Sequence, residues 1–315
     1  MINEEDYGAL IVSESEILPL DRLKCFARLS DLGLPVIFTE SLPLRSSEGV
    51  DVAEEISCFE VTQTAELCSL LRKKELCHLS GEGKGLKSLR FYHLSSDEKE
   101  IYLFHNDDLR GDVDAYLTLP QSGSFLAYEP WDNKCYRGET KGGKLHLRLE
   151  KSNMLFVIFG EEIDGDLPLI GFERERKALE LCFDISIRAE GEEDFRPLCS
   201  SSKLFDISSL DGLFDFCGEV CYKTKISSNK EFSVLDLGEV GEIASVWLNG
   251  VHLGDRINSP YKFSMKPSLH GGDNDLKIIV KSNLAHRRCD SLSKFVQIPP
   301  TGILGDICLC RYENE

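Results

Sequence analysis

Val246-Trp-Leu-Asn-Gly-Val-His-Leu-Gly254 decides how the last third of this chain folds. Asn-Gly is the preferred pair for a two-residue hairpin turn, because both central positions need a positive φ that Gly and Asn tolerate best. The apolar residues on either side then read as an antiparallel pair, Val246–Leu248 entering the turn and Val251–Leu253 leaving it. Gly254 permits a sharp exit. Trp247 sits beside Val246 inside the strand, and the large area an aromatic buries predicts a place in the core. Working outward, Gly272-Asp-Asn274 is a further turn, feeding a strand with Leu276, Ile278 and Val280 on one face. Ser233–Leu237 and the alternating Leu179–Ile187 read as further strands, and Glu190–Asp215 between them reads as a long irregular loop.

The middle of the chain has the same period of two. Leu89–His93, Glu100–Phe104, Val113–Leu119, Lys144–Leu149 and Met154–Phe159 are strand-like, and turns such as Gln121-Ser-Gly123 and Lys141-Gly-Gly143 separate them. Short strands without intervening helices predict a small β-sandwich over residues 86–162, followed by an acidic linker, Gly160–Asp166. The first 82 residues differ. Ala9–Val12, Val36–Phe38, Phe59–Val61 and Leu76–Leu79 read as strands, with helical stripes after Pro19 and Thr64. That alternation predicts βαβ crossovers in a partial, Rossmann-like α/β domain. Gly81-Glu-Gly-Lys-Gly85 reads as the hinge between the two.

Charge narrows the partners. Lys and Arg total 36 against 54 Asp and Glu, a net charge of −18, which argues against nucleic acid and anionic membrane surfaces. Residues are 42% hydrophobic and 29% charged, as in soluble globular proteins, and no apolar run reaches the ~18 residues of a membrane span. The acidic start, Met1-Ile-Asn-Glu-Glu-Asp6, has no basic region of the secretory kind. With 12 cysteines, no CxxC and several Cys inside apolar segments (Cys25, Cys68, Cys182), the expectation is a reduced, cytoplasmic protein with buried thiols. Cys308 and Cys310, flanking Leu309, are expected on one face of a strand. Scattered histidines and the absence of DxDxDG point to no metal and no cofactor, with a structural calcium in the acidic loops left open.

The order Cys217-Gly-Glu-Val-Cys-Tyr222, Leu235-Asp-Leu-Gly238, Val246–Gly254, Pro260-Tyr-Lys-Phe263, Gly272-Asp-Asn-Asp-Leu276, Lys281-Ser-Asn283 and Pro299-Pro-Thr-Gly-Ile-Leu-Gly305 resembles the galactose-binding-like jelly roll of family 2-type glycoside hydrolases. It is most similar to the variant at the C-terminus of large bacterial rhamnosidase-like hydrolases of family 106 type. Upstream, a partial α/β domain and a small sandwich ending in Tyr128-Glu-Pro-Trp-Asp132 are similar to the segment after the catalytic barrel of those enzymes. The resemblance implies a mixed, mainly β chain: a partial α/β domain at 1–82, a small β-sandwich at 86–162 and a jelly roll at 174–315. In those enzymes the barrel carries the catalytic carboxylates. A (β/α)8 barrel needs ~250 residues, and nothing here resembles one. The resemblance therefore implies an accessory module that binds carbohydrate weakly. The alternatives are a structural subunit docking onto a separately encoded catalytic barrel, an intact glycosidase with its own carboxylate pair, and a decayed gene product. An apolar surface stripped of its barrel would also favour homo-oligomers.

Glycoside hydrolysis needs two carboxylates ~5–5.5 Å apart for retention or ~6.5–9.5 Å for inversion. Glu129, Asp132, Asp255 and Asp290 are candidates by type only, and solvated surface is the simpler reading of each. Cys25, in Lys24-Cys-Phe26, lacks the glycines of a nucleophile elbow, and Gly81–Gly85 lacks GK[ST] for phosphate. For sugar, planar amides and guanidinium forks match vicinal hydroxyls, and aromatic faces stack on C–H faces. The stretch Gly254–Tyr261 brings Asp255, Arg256, Asn258 and Tyr261 within eight residues and is the expected rim site. His252, Asn283 and Arg287 lie nearby in sequence. Trp131, after Pro130, is the other aromatic expected to meet sugar.

Overall fold

The computed structural model describes residues 7–77, 79–96, 98–228, 231–266, 268–288 and 298–313. They divide into two compact units, residues 7–80 with 118–120 and residues 81–117 with 121–313.

In the first unit, Leu10–Val12, Val36–Thr39 and Glu60–Thr62 form a three-stranded parallel sheet. The helix Leu20–Asp31 covers it through Leu23, which packs with Val36, Phe38, Val52 and Phe59 in one core cluster. Gly33 ends that helix at φ +91°, the left-handed position that glycine occupies without strain. Leu76, Cys77 and Leu79 lie outside any strand, so the fourth strand expected there does not form; His78 lies outside the described residues.

The second unit begins with a small sandwich. One sheet has the order Lys134–Glu139, Ser124–Glu129, Met154–Phe159, Lys99–Asn106, Leu89–Ser96; the other has Lys144–Leu149, Val113–Thr118, Ser80–Lys84. Leu145, Leu147 and Leu149 are buried, as their alternation with His146 and Arg148 predicts. The glycine run 81–85 is not a hinge, because Ser80–Lys84 is an edge strand. Its glycines serve close approach: a Cβ on Gly83 would stand 2.5 Å from the Asp114 carbonyl oxygen.

The jelly roll follows. A six-stranded sheet runs Arg196–Ser201, Phe183–Ala189, Gly218–Ser228, Gly272–Lys281, Ile243–Leu248, Val251–Arg256. It faces a four-stranded sheet, Glu173–Ala178, Cys308–Tyr312, Val234–Asp236, Lys262–Ser264. Ile185, Val220, Val246, Leu248, Ile278, Val280, Phe263 and Leu309 interlock between them. Arg196–Ser201 makes the 190–215 segment less irregular than expected. Leu309 enters this core, while Cys308 and Cys310 share the opposite face with Val234, as predicted. The mainly β class is thereby observed. Cys25, Cys68 and Cys182 are exposed and not buried: Cys25 and Cys68 lie on the outer faces of their helices, and Cys182 precedes the strand that starts at Phe183.

Candidate functional site

The quoted hairpin forms with Leu248 paired to Val251 and with φ +50° at Asn249 and +82° at Gly250. Asn249 also does structural work. Its Nδ2 donates to the Ser268 carbonyl oxygen and to Asn274 Oδ1, both at 2.8 Å, and its Oδ1 accepts the Asp275 N–H at 2.9 Å. Asn274 is fully buried and returns the contact, holding the His270 N–H and the His270 and Gly272 carbonyls. The two asparagines of the resemblance motif therefore latch one end of the sandwich.

Pleating decides what the expected rim site can be. Strand Ile243–Leu248 sends Ala244, Val246 and Leu248 inward, so Trp247 faces out, half-exposed, and is not a core residue. Lys277 Nζ lies 4.0 Å above its ring and the His252 ring 4.8 Å from it. Asp255 is on this outer face, accepting from Ser245 Oγ at 2.5 Å and contacting His252 Nε2 at 3.2 Å. Arg256, the next residue, pairs opposite Ala244 and turns inward. It lies over the Phe263 ring at 5.4 Å and pairs with Asp132 of the small sandwich. Gly254, Asp255 and Arg256 thus belong to a strand and not to a loop. Tyr261 is only 6% exposed. Its hydroxyl donates to the Glu242 carbonyl oxygen at 2.6 Å, and burial pushes its pKa up to about 12. Its ring is core and offers no sugar platform. Asn258 is exposed.

Trp131 is joined to this region through its neighbour. Asp132 reaches Arg256, and both N–H groups of Trp131 and Asp132 donate to Glu129, at 3.2 and 2.6 Å. Burial raises the Glu129 pKa, and the Asp132 charge adds to the rise against those two hydrogen bonds. Both Glu129 oxygens are spent on the turn, so this carboxyl organises the loop and is not placed to attack. Trp131 is half-buried, with its indole Nε1 buried and unpaired. Asp290 lies outside the described residues.

Sequence reasoning missed a polar cluster on the outward face of the four-stranded sheet. Lys262 Nζ donates to Glu150 of the small sandwich at 2.5 Å, to Glu173 at 2.6 Å and to the Tyr312 hydroxyl at 2.8 Å. Arg176 holds Glu173 through two contacts, at 2.9 and 3.0 Å, and Asp236 at 2.9 Å. Burial disfavours the Glu173 charge, but the Arg176 and Lys262 hydrogen bonds outweigh it and lower the pKa to about 2. Lys262 is held well above its ordinary value by Glu150 and its neighbours despite burial. Glu150 and Glu173 thus meet at one ammonium. Both carboxylates are committed to the Lys262 ammonium, and Glu173 to Arg176 as well. Spacing could not reveal this cluster, since its members come from five separate segments.

At the strand ends beside Glu242 a further set converges. Asn283 Nδ2 donates to Glu242 Oε1 at 2.7 Å, and Arg287 pairs with Glu190 at 2.9 Å. Next to them is an open cleft of about 350 Å³ at Arg188, Glu219 and Lys281. Among the described residues no cluster of His, Cys, Asp and Glu has the composition to hold a metal. No described helix is long and apolar enough to cross a membrane.

No family model matches this chain. No curated protein matches it either. Among solved structures, the rhamnosidase from Novosphingobium sp. PP1Y aligns over 96% of this chain with a TM-score of 0.59 and 18% identity. A beta-glucuronidase from an uncultured Clostridium sp. aligns over 47% of this chain, at a TM-score of 0.33 and 20% identity, and 31% of that chain. This chain spans 33% of the rhamnosidase chain. What it shares with that rhamnosidase is its fold.

Proposed function

We propose that the residues of this chain form a carbohydrate-associated accessory module of a glycoside hydrolase. The observation that carries this is the fold match over 96% of the chain against 33% of a rhamnosidase. The electrostatics are in keeping with it: Glu150 and Glu173 are tied to Lys262, and Glu129 is tied to the turn at Trp131 and Asp132. The reading keeps the division into 1–82, 86–162 and 174–315 and a cytoplasmic location. Of the residues expected at sugar, Asp255 and Asn258 keep exposed side chains. A glycan array run beside a panel of nitrophenyl glycosides tests it. Glycan binding without turnover is the expected result. Turnover that survives purification and vanishes on changing one carboxylate would sink it.

A second reading, a structural subunit docking onto a separate barrel, has one observation in its favour. The edge strand Leu89–Ser96 exposes Phe91, Tyr92 and Leu94 by 48, 60 and 46%. Native mass spectrometry with candidate barrel subunits tests this reading, and a monomer indifferent to all of them removes it.

A further inference from the structure

The cleft at the strand ends of the jelly roll has a lining of unusual balance. Arg188, Glu219, Lys281, Ser282, Gly191 and Leu284 surround about 350 Å³ of open space. That is near the lower end of the ~300–1,000 Å³ typical of small-molecule sites. Glu219 sits between the cations: it pairs with Arg188, and Lys281 Nζ is 3.1 Å away. Phe195 supports the Arg188 guanidinium from 4.7 Å, which fixes the plane of its donor fork. Leu284 and the Lys281 stem supply apolar surface beside these groups.

Charge chooses the ligand. The lining carries Arg188 and Lys281 against Glu190, Glu192 and Glu219. Both cations are engaged by Glu219, so an anionic guest would meet a carboxylate excess and no uncommitted positive charge. Glu190 is held by Arg287 at 2.9 Å, and Glu192 accepts the Ala189 N–H at 2.8 Å. Every charge is thus fixed in place, yet donors and lone pairs are left over. A guanidinium has five N–H donors, an ammonium three, and a carboxylate about four acceptor sites. Fixed donors beside fixed acceptors suit a guest whose adjacent groups both donate and accept. Vicinal hydroxyls of an uncharged pyranose do so, and its C–H face suits the Leu284 side.

We propose that this cleft, bounded by Arg188, Glu219 and Lys281, is a binding site for one neutral pyranose ring. The assignment rests on the accessory reading above and adds to it a place and a ligand class. Gly191 belongs to the lining, at φ +89° with no atom within 4 Å of an added Cβ. Asn tolerates that backbone better than other side chains, so Gly191→Asn adds a side chain to the lining while leaving Arg188, Glu219 and Lys281 in place.

The test is titration of the full chain, by isothermal calorimetry and ligand-observed NMR, with methyl α-L-rhamnopyranoside, methyl β-D-galactopyranoside and D-glucuronate. At least one neutral glycoside should bind with a Kd of ~1–10 mM, and glucuronate should bind at least tenfold more weakly. Glu219→Gln and Gly191→Asn should each weaken the neutral ligand at least tenfold, with an unchanged far-UV spectrum. If Glu219→Gln does not fold, Gly191→Asn decides alone. Tighter binding of glucuronate, no binding of either neutral glycoside, or neutral binding unmoved by Gly191→Asn each overturns the assignment. Array binding that persists while these variants have no effect rejects the cleft and leaves the accessory reading standing. Turnover by the native chain rejects the accessory reading and leaves the cleft to be judged by the same variants.

Discussion

Asn274, 1% exposed, satisfies four hydrogen bonds with one side chain. Asn274→Ala leaves the His270 and Gly272 backbone groups and the Asn249 amide short of partners in a buried setting, where each such loss costs ~1–3 kcal/mol. We expect a destabilisation of about 2–4 kcal/mol in urea unfolding; a change below about 0.5 kcal/mol would mean the latch does not hold. The cysteines give a second residue-scale prediction. Thiolate is the reactive form. Burial raises the Cys308 and Cys310 pKa values, the latter to about 12, while Cys25, Cys58, Cys68, Cys182 and Cys199 are exposed. In native protein near pH 8 those five should react with a thiol reagent within minutes, and Cys308 and Cys310 only after unfolding. Peptide mapping of the labelled sites checks this, and early label at Cys310 would contradict the described packing.

The hairpin at 249–250 shows why turn chemistry made one pair of strands legible in the sequence, the edge strand Val251–Arg256 included. Asn-Gly fixed the turn, and the turn fixed the register: counting back from Leu248 places Val246 and Ala244 inward and Trp247 and Ser245 outward. The preference of tryptophan for burial pointed the other way, and the pleat prevailed. The same pleat separates Asp255 from Arg256, so proximity in sequence was no guide to a shared site. Of the strands not read from the sequence, Ser80–Lys84, Lys134–Glu139, Glu173–Ala178 and Arg196–Ser201 are edges, while Ser124–Glu129 and Gly218–Ser228 are central. An edge strand has a neighbour on one side and buries little, so its sequence can be glycine-rich or charged without losing the ladder. Two glycines separate the conformational from the steric cost. Gly250 has φ +82° and open space around it, so Gly250→Ala should cost about 1 kcal/mol. Gly138, in Lys134–Glu139, lies under Phe125, whose ring carbon would be 2.2 Å from an added Cβ. Gly138→Ala must displace that ring and should cost about 1–3 kcal/mol. Equal melting shifts for the two variants would count against this distinction.

Within the second unit the small sandwich and the jelly roll are joined by ion pairs that sequence spacing cannot show. Lys262 meets Glu150 from one side and Glu173 and Asp236 from the other, and Arg256 meets Asp132. Taking such charges out of water is costly, and their mutual attraction offsets that cost only while every partner is present. Lys262→Met keeps the stem but leaves Glu150 without its cation, so a loss of about 3–5 kcal/mol is expected. The acid limb of stability carries the same signature. Against the opposing effect of burial, the Arg176 and Lys262 hydrogen bonds lower the Glu173 pKa from its ordinary 4.5 to about 2. A depressed carboxyl stabilises the fold above its unfolded value and ceases to do so as pH falls through its folded value. Stability contributed by Glu173 is therefore complete above about pH 5 and is lost progressively as the pH falls from there toward about 2. Lys262→Met removes one of the two cations that hold Glu173 ionised, which brings its pKa nearer the ordinary value. The fall in urea midpoint between about pH 5 and pH 2 should then be shallower in the variant than in the native chain. A variant curve parallel to the native one would assign the acid limb to other carboxylates and leave Lys262 only a packing role.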